Sequence, residues 1–148
     1  MTCTPPSSIT TTYSPPLTST PTSTIRSVSA QYGPCVSLSQ PDLTSATTSS
    51  TSQPRTRTCS DLLASGPLTF TITWNTGQNS TVSANSTTTL VGALLITTQT
   101  GIVTDGLFKG DTVIQTSQAP AATITACELG LGNVPSLYGL LTLEVTSI

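Results

Sequence analysis

From Thr69 to Trp74 the chain alternates strictly, with Phe70, Ile72 and Trp74 on one side and three threonines on the other. A period of two is the mark of a strand with one buried face. Asn75-Thr76-Gly77-Gln78 follows as a turn, with Gly77 suited to a positive φ. A return strand over 79–88 then places Val82 and Ala84 inward. Leu90 to Thr100 reads as an apolar strand that continues through Gly101–Thr104 past a kink. Asp105-Gly106 and Lys109-Gly110-Asp111 are turn signals. Strands over Thr112–Ser117, Ala121–Cys127 and Leu140–Thr146 complete this half, the last with Leu141, Leu143 and Val145 on one face.

The first 58 residues carry 8 of the 11 prolines and a single glycine, Gly33. Such Thr/Ser/Pro composition also suits a glycosylated stalk or a linker. Against that, Arg26, Val28, Ala30 and Tyr32 alternate with Ile25, Ser27 and Ser29, and two cysteines lie within the segment. The pattern predicts strands near 8–13, 24–32, 34–39 and 43–52. Pro5-Pro6 and Pro15-Pro16 belong at turns, bulges or edges, because proline gives no amide to a ladder. No segment shows a capped 3.6-residue period. The expected fold is all-β, one domain over 1–148, with about nine or ten short strands. The expected architecture is an antiparallel sandwich, Ig-like or Greek-key, with a closed barrel as the alternative. Residues 1–20 form a candidate extended N-terminal segment.

Composition sharpens this. There are 33 threonines and 21 serines among 148 residues, only four Lys/Arg and six Asp/Glu, and no histidine. A phosphate-binding patch for nucleic acid cannot be assembled from Arg26, Arg55, Arg57 and Lys109. Histidine-based metal sites and Ser-His-Asp catalysis are excluded. Cys3, Cys35, Cys59 and Cys127 are an even set without CxxC spacing, which reads as two disulfides in an oxidising compartment. Zinc sites of four cysteines pair their ligands at short spacing, unlike these. Three connectivities exist; Cys3–Cys35 with Cys59–Cys127 is favoured, since this sequential pairing closes its loops without crossing. No apolar run approaches membrane-spanning length. Met1-Thr2-Cys3 shows no secretory apolar region, so the expectation is a mature secreted chain whose signal peptide has been removed.

Few residues offer chemistry. Asp105 and Asp111 flank an apolar and cationic loop, and as a calcium or paired-carboxylate site they compete with the simpler reading of turn caps. Glu128 and Glu144 read as solvated charges. A Ser-Lys dyad would need Lys109, which falls in an exposed turn. Trp74 belongs to the Phe70-Ile72 face and so to the core, rather than to a sugar-stacking surface. The threonine rows (Thr69, Thr71, Thr73; Thr98, Thr100) suit the solvent face of strands. As a flat array they would also suit ice or polysaccharide, although no fixed repeat supports an ice-binding surface. Asn79-Ser80-Thr81 and Asn85-Ser86-Thr87 are glycosylation sequons. No residue is assigned to catalysis, a cofactor or a metal.

Thr71-Ile72-Thr73-Trp74-Asn75-Thr76-Gly77, Ser80-Thr81-Val82, Gly106-Leu107-Phe108-Lys109-Gly110-Asp111, Ala126-Cys127 and Gly139-Leu140-Leu141-Thr142-Leu143 together resemble a pattern found in small secreted proteins of actinobacteria. The resemblance implies a signal peptide and an extracellular all-β domain, and brings no catalytic residues. A further analogy is to the β-sandwich adaptors of secreted actinobacterial toxin particles, which dock through an extended N-terminal segment. The expected function is therefore a non-enzymatic secreted adaptor. It would bind another secreted protein, or itself, through an edge strand or residues 1–20. Binding of cell-wall or extracellular polysaccharide is the first alternative, and a threonine-rich ice-type surface the second.

Overall fold

The computed structural model describes residues 1–147. Eleven strands are present: β1 (Thr2–Cys3), β2 (Ser8–Leu17), β3 (Thr22–Tyr32), β4 (Cys35–Val36), β5 (Ala46–Thr51), β6 (Arg55–Arg57), β7 (Gly66–Trp74), β8 (Asn79–Val91), β9 (Leu94–Gly106), β10 (Thr112–Pro120) and β11 (Val134–Thr146). A short 3-10 helix spans Cys59–Leu63, and one α-helix, α1, spans Ala122–Glu128. The sheet is antiparallel and runs β2-β3-β5-β7-β8-β9-β10-β11, where β11 pairs back onto β2. The all-β expectation holds, and the sheet takes the closed form, an eight-stranded barrel. Two short outer strands, β1 and β4, extend it beside β11, and β6 pairs with the start of β3. Both disulfides form, Cys3–Cys35 and Cys59–Cys127.

Closure follows from strand length and alternation. Inward side chains line up across each pairing: Val113 lies opposite Val145 and Gly101, and Val82 opposite Phe70 and Val103. Gly101 is on the inward face, where an added Cβ would collide with the Ser83 carbonyl oxygen and Ala84. Glycine there lets β8 and β9 approach closely. A bulge between Thr81 and Val82 adds to the bend.

The barrel has a base, at the Tyr32, Ala46, Trp74 and Asn79 ends of its strands, and a mouth at the Leu17, Gly66, Val91 and Val134 ends. The base is filled by an apolar cluster that includes Cys3, Tyr32, Ile72, Trp74, Val103, Leu141 and Leu143. A second, smaller apolar cluster sits at the mouth, with Tyr13, Leu17, Leu95, Ile124 and Val134 around the Cys59–Cys127 disulfide.

Two expectations change. Ala121–Cys127 is not a strand but α1. Its Ile124 and Cys127, three residues apart, are both buried in the mouth cluster, so helical spacing and the disulfide outweigh the strand preference of Thr123, Ile124 and Thr125. Leu90 ends β8 rather than starting the next strand, because the hairpin turns at Gly92 with φ +61°. Within residues 1–20, β1 pairs with β4 and β11, and β2 is bonded on one side to β3 and on the other to β11.

Candidate functional site

Between the two apolar clusters the barrel is not packed solid. A cavity of about 460 Å³ occupies the upper half of the lumen. An eight-stranded barrel is about wide enough to be filled by side chains or to hold one small ligand. Here the inward positions at that level carry small polar groups, among them Thr11, Ser86, Thr88, Thr97, Gln99 and Ser117. The register explains the arrangement: Ser86 lies opposite Gln99 and Thr88 opposite Thr97, while Ser117 also lies opposite Thr97. Each belongs to the same inward row as the apolar residues of the base.

The floor of the cavity is a hydrogen-bonded chain. The Tyr32 hydroxyl donates to Gln115 Oε1 at 2.6 Å, and Gln115 Nε2 donates to Gln99 Oε1 at 2.8 Å. Tyr32 and Gln115 are buried, and Gln99 is half-buried. Burial pushes the Tyr32 pKa up to about 12, against the opposing effect of its contacts with Thr48 and Gln115. The phenol is thus held neutral as a donor. Gln99 is engaged through its oxygen, so its amide N–H groups are not used by this chain of bonds.

The doorway lies at the weakest seam. β5 and β7 share only two paired positions, Ala46 with Trp74 and Thr47 with Thr73, both at the base. Toward the mouth the two strands part, and residues 55–66 cross the gap, adding Arg57, Asp61, Leu62 and Gly66 to the cavity wall. The crossing segment is fixed by the disulfide to α1 and by a capping box in which the Thr58 N–H donates to Asp61 Oδ2 at 2.6 Å.

Arg57 is buried at this doorway, 8% exposed. Its Nη1 donates to the Thr24 carbonyl at 2.7 Å and more weakly to Thr24 Oγ1, and its Nη2 donates to Ser52 Oγ at 3.1 Å. Burial lowers its pKa, and the nearby charges of Arg55 and Arg26 lower it further. Burial also raises the Tyr13 pKa, an effect opposed by Arg26 and Arg57.

The residues singled out from sequence lie elsewhere. Trp74 is core, 2% exposed; its indole N–H donates to Ser80 Oγ at 2.8 Å, and its ring meets Phe108 edge-on with centroids 5.7 Å apart. Asp105 closes its own turn, accepting from the Gly106 N–H at 2.9 Å, and the Asp111 backbone bonds Phe108 and Val103. Among the described residues no group of three or more His, Cys, Asp or Glu is placed to hold a metal. Lys109, Glu128, Glu144, Asn79 and Asn85 are exposed. Thr69, Thr71, Thr73 and Thr100 point outward and are exposed, with Thr98 half-buried beside them.

The lumen residues carried a weak signal in the sequence. Gln115 interrupts the inward row Val113, Ser117, Ala119, and Arg26 shares its face with Val28, Ala30 and Tyr32. Only barrel closure brings those interruptions to one place. The chain matches no family model, no curated protein and no solved structure among known proteins.

Proposed function

We propose that this protein is a non-enzymatic extracellular binding domain that holds one small, polar, hydroxyl-rich molecule of saccharide type in its barrel lumen. The observation that carries the reading is a set of inward hydroxyl and amide groups, Thr11, Ser86, Thr88, Thr97, Gln99 and Ser117 among them, that together with Val28, Leu68, Phe70 and Leu137 surrounds about 460 Å³ of open space between two apolar clusters. That volume falls within the roughly 300–1,000 Å³ of small-molecule sites. A sequence shaped only for stability would fill the space, since each aliphatic side chain buried there would contribute about 1.5–3 kcal/mol. Hydroxyl and amide groups lining a water-accessible lumen instead offer paired donors and acceptors to a polyol. Two disulfides support an extracellular setting, as does the resemblance to secreted actinobacterial proteins.

Docking on another protein is a second reading, favoured by one feature of the mouth. Leu90, Val91 and Leu94 at the β8–β9 tip, and Leu129 and Leu131 after α1, are 40–78% exposed. The Ala121 N–H donates to the Ala93 carbonyl, which brings the tip beside the helix. Among the main strands closure leaves no free edge except along the β5–β7 seam above Thr47 and Thr73, which residues 55–66 cross, so a partner would meet these aliphatics or the short strands β4 and β6.

Titration of labelled protein with glucose, N-acetylglucosamine and cellobiose, followed by amide NMR, tests the lumen. The expected outcome is perturbation of Thr11, Gln99 and Ser117, abolished in a Ser86→Leu/Ser117→Leu variant that fills the space. Perturbation confined to Thr71, Thr73 and Thr100 would favour an outer polysaccharide surface instead. No response to any of the three sugars, nor to a charged derivative such as glucuronate, would sink the lumen reading.

A further inference from the structure

We propose that the lumen ligand ends in an oxyanion, a carboxylate or phosphoryl group, gripped at the barrel mouth by Arg26, Arg55 and Arg57. This rests on the lumen-binding reading above and assigns the chemical class of its ligand. The chain has only four cationic side chains, and three of them border this one cavity. The fourth, Lys109, lies in the loop at the opposite end.

The register puts the three on a common face. Tyr13, which borders the cavity, lies opposite Arg26, and Thr24, two residues before Arg26, lies opposite Arg55 in the β3–β6 pair. Arg57 is two residues further along β6 and so returns to the face of Arg55. Ser52 links the group: its hydroxyl accepts from Arg57 Nη2 and from the Arg26 backbone N–H. One carboxylate, Asp61, borders the same cavity, and its Oδ2 is engaged by the Thr58 amide. Three positive charges thus face one negative charge, in a chain whose net charge is −2.

A purely structural role accounts for Arg57 alone, which ties β6 to Thr24 and Ser52. It does not account for Arg26 and Arg55, which are exposed and gathered on the same opening. Like charges held together without a counter-charge are unfavourable, and the partners of the Arg57 guanidinium are neutral oxygens. A bound oxyanion would supply the missing charge and accept the planar fork of guanidinium N–H donors. The hydroxylated body of the same molecule would lie below, over the Tyr32–Gln115–Gln99 floor. A sugar acid and a sugar phosphate share this chemistry.

Calorimetric titration with glucose, glucuronate and glucose 6-phosphate, on the native chain and on Arg26→Gln/Arg55→Gln, tests the assignment at low and high salt. At low salt, one or both anionic probes should bind at least about tenfold more tightly than glucose, and whichever does identifies the head group. The advantage should shrink with salt and vanish in the double variant, which should stay folded with a melting temperature no lower than that of the native chain, because two crowded like charges have been removed. Equal affinity for all three probes would overturn the oxyanion assignment and leave lumen binding standing. So would an anionic advantage that persists in the double variant. Binding of none of the three would overturn both.

Discussion

Tyr32 shows how one side chain can belong to both core and site. Its ring packs in the base cluster and its hydroxyl anchors the polar floor of the cavity. Because burial raises its pKa from 10.0 to about 12, the fold favours the neutral phenol over the phenolate. The stability this contributes is intact below pH 10 and is lost as the pH climbs toward 12. Linkage puts the loss at about 2–3 kcal/mol, with Tyr13, also raised by burial, adding in the same direction. Denaturant unfolding followed by Trp74 fluorescence should show this decline between pH 10 and 12. Tyr32→Phe should lose most of that decline, and at pH 8 should be less stable by about 1–3 kcal/mol because the Gln115 Oε1 is left without its donor. A decline of equal size in Tyr32→Phe would place the titrating group elsewhere.

The elements that shape the mouth are the least regular ones. The 3-10 helix and α1 are too short to stand alone, since an isolated helix needs about 12–15 residues to be more than marginal. They are held by the Cys59–Cys127 disulfide and the few apolar side chains around it, Leu62 and Ile124 among them. The base of the barrel depends on none of this, because there each strand is paired with both neighbours, β5 and β7 included. Replacing both cysteines with serine should therefore act locally first. Amide exchange should accelerate across 59–66 and 122–128 while β8, β9 and β10 stay protected. Global stability should fall by about 2–4 kcal/mol, the usual range for closing a loop of this kind. Uniform acceleration across the barrel would show instead that the mouth and the base unfold as one unit.

At the level of the whole molecule, the interior is layered along the barrel axis: an apolar base, an open lumen where hydroxyl and amide groups alternate with apolar side chains such as Val28, Phe70 and Leu137, and an apolar mouth. The middle layer costs stability, because an unfilled volume forfeits both packing and apolar transfer. Ser86→Leu/Ser117→Leu, introduced above to block the lumen, should therefore unfold at a higher denaturant midpoint, with a gain of about 1–3 kcal/mol. Binding and stability would then move in opposite directions in a single variant. A less stable variant would mean that the hydroxyl layer is itself part of the packing.

Much of the fold was legible along the chain, and the reason is local. Period-two alternation in Thr69–Trp74 and Thr24–Tyr32 reports which side chains share a face, whatever the strand later pairs with. The cysteine count and spacing pointed to two bridges and to their pairing. Trp74 as core and Asp105 as a turn residue needed only their immediate neighbours. Ala121–Cys127 departs from its expected strand because a short segment with Thr123, Ile124 and Thr125 fits either period, and the contacts that decide between them are with Leu17 and Cys59, distant in sequence. The cavity was invisible for a stronger reason. Serine and threonine take the same alternating positions on a solvent face as on a lumen wall, so 54 hydroxyl residues could not be sorted into outside and inside. Composition and periodicity determined an all-β, disulfide-linked chain with threonine-covered strands. Only closure of the sheet, with β11 returning to β2, turned one set of hydroxyls inward and set three of the four cationic side chains at a single opening.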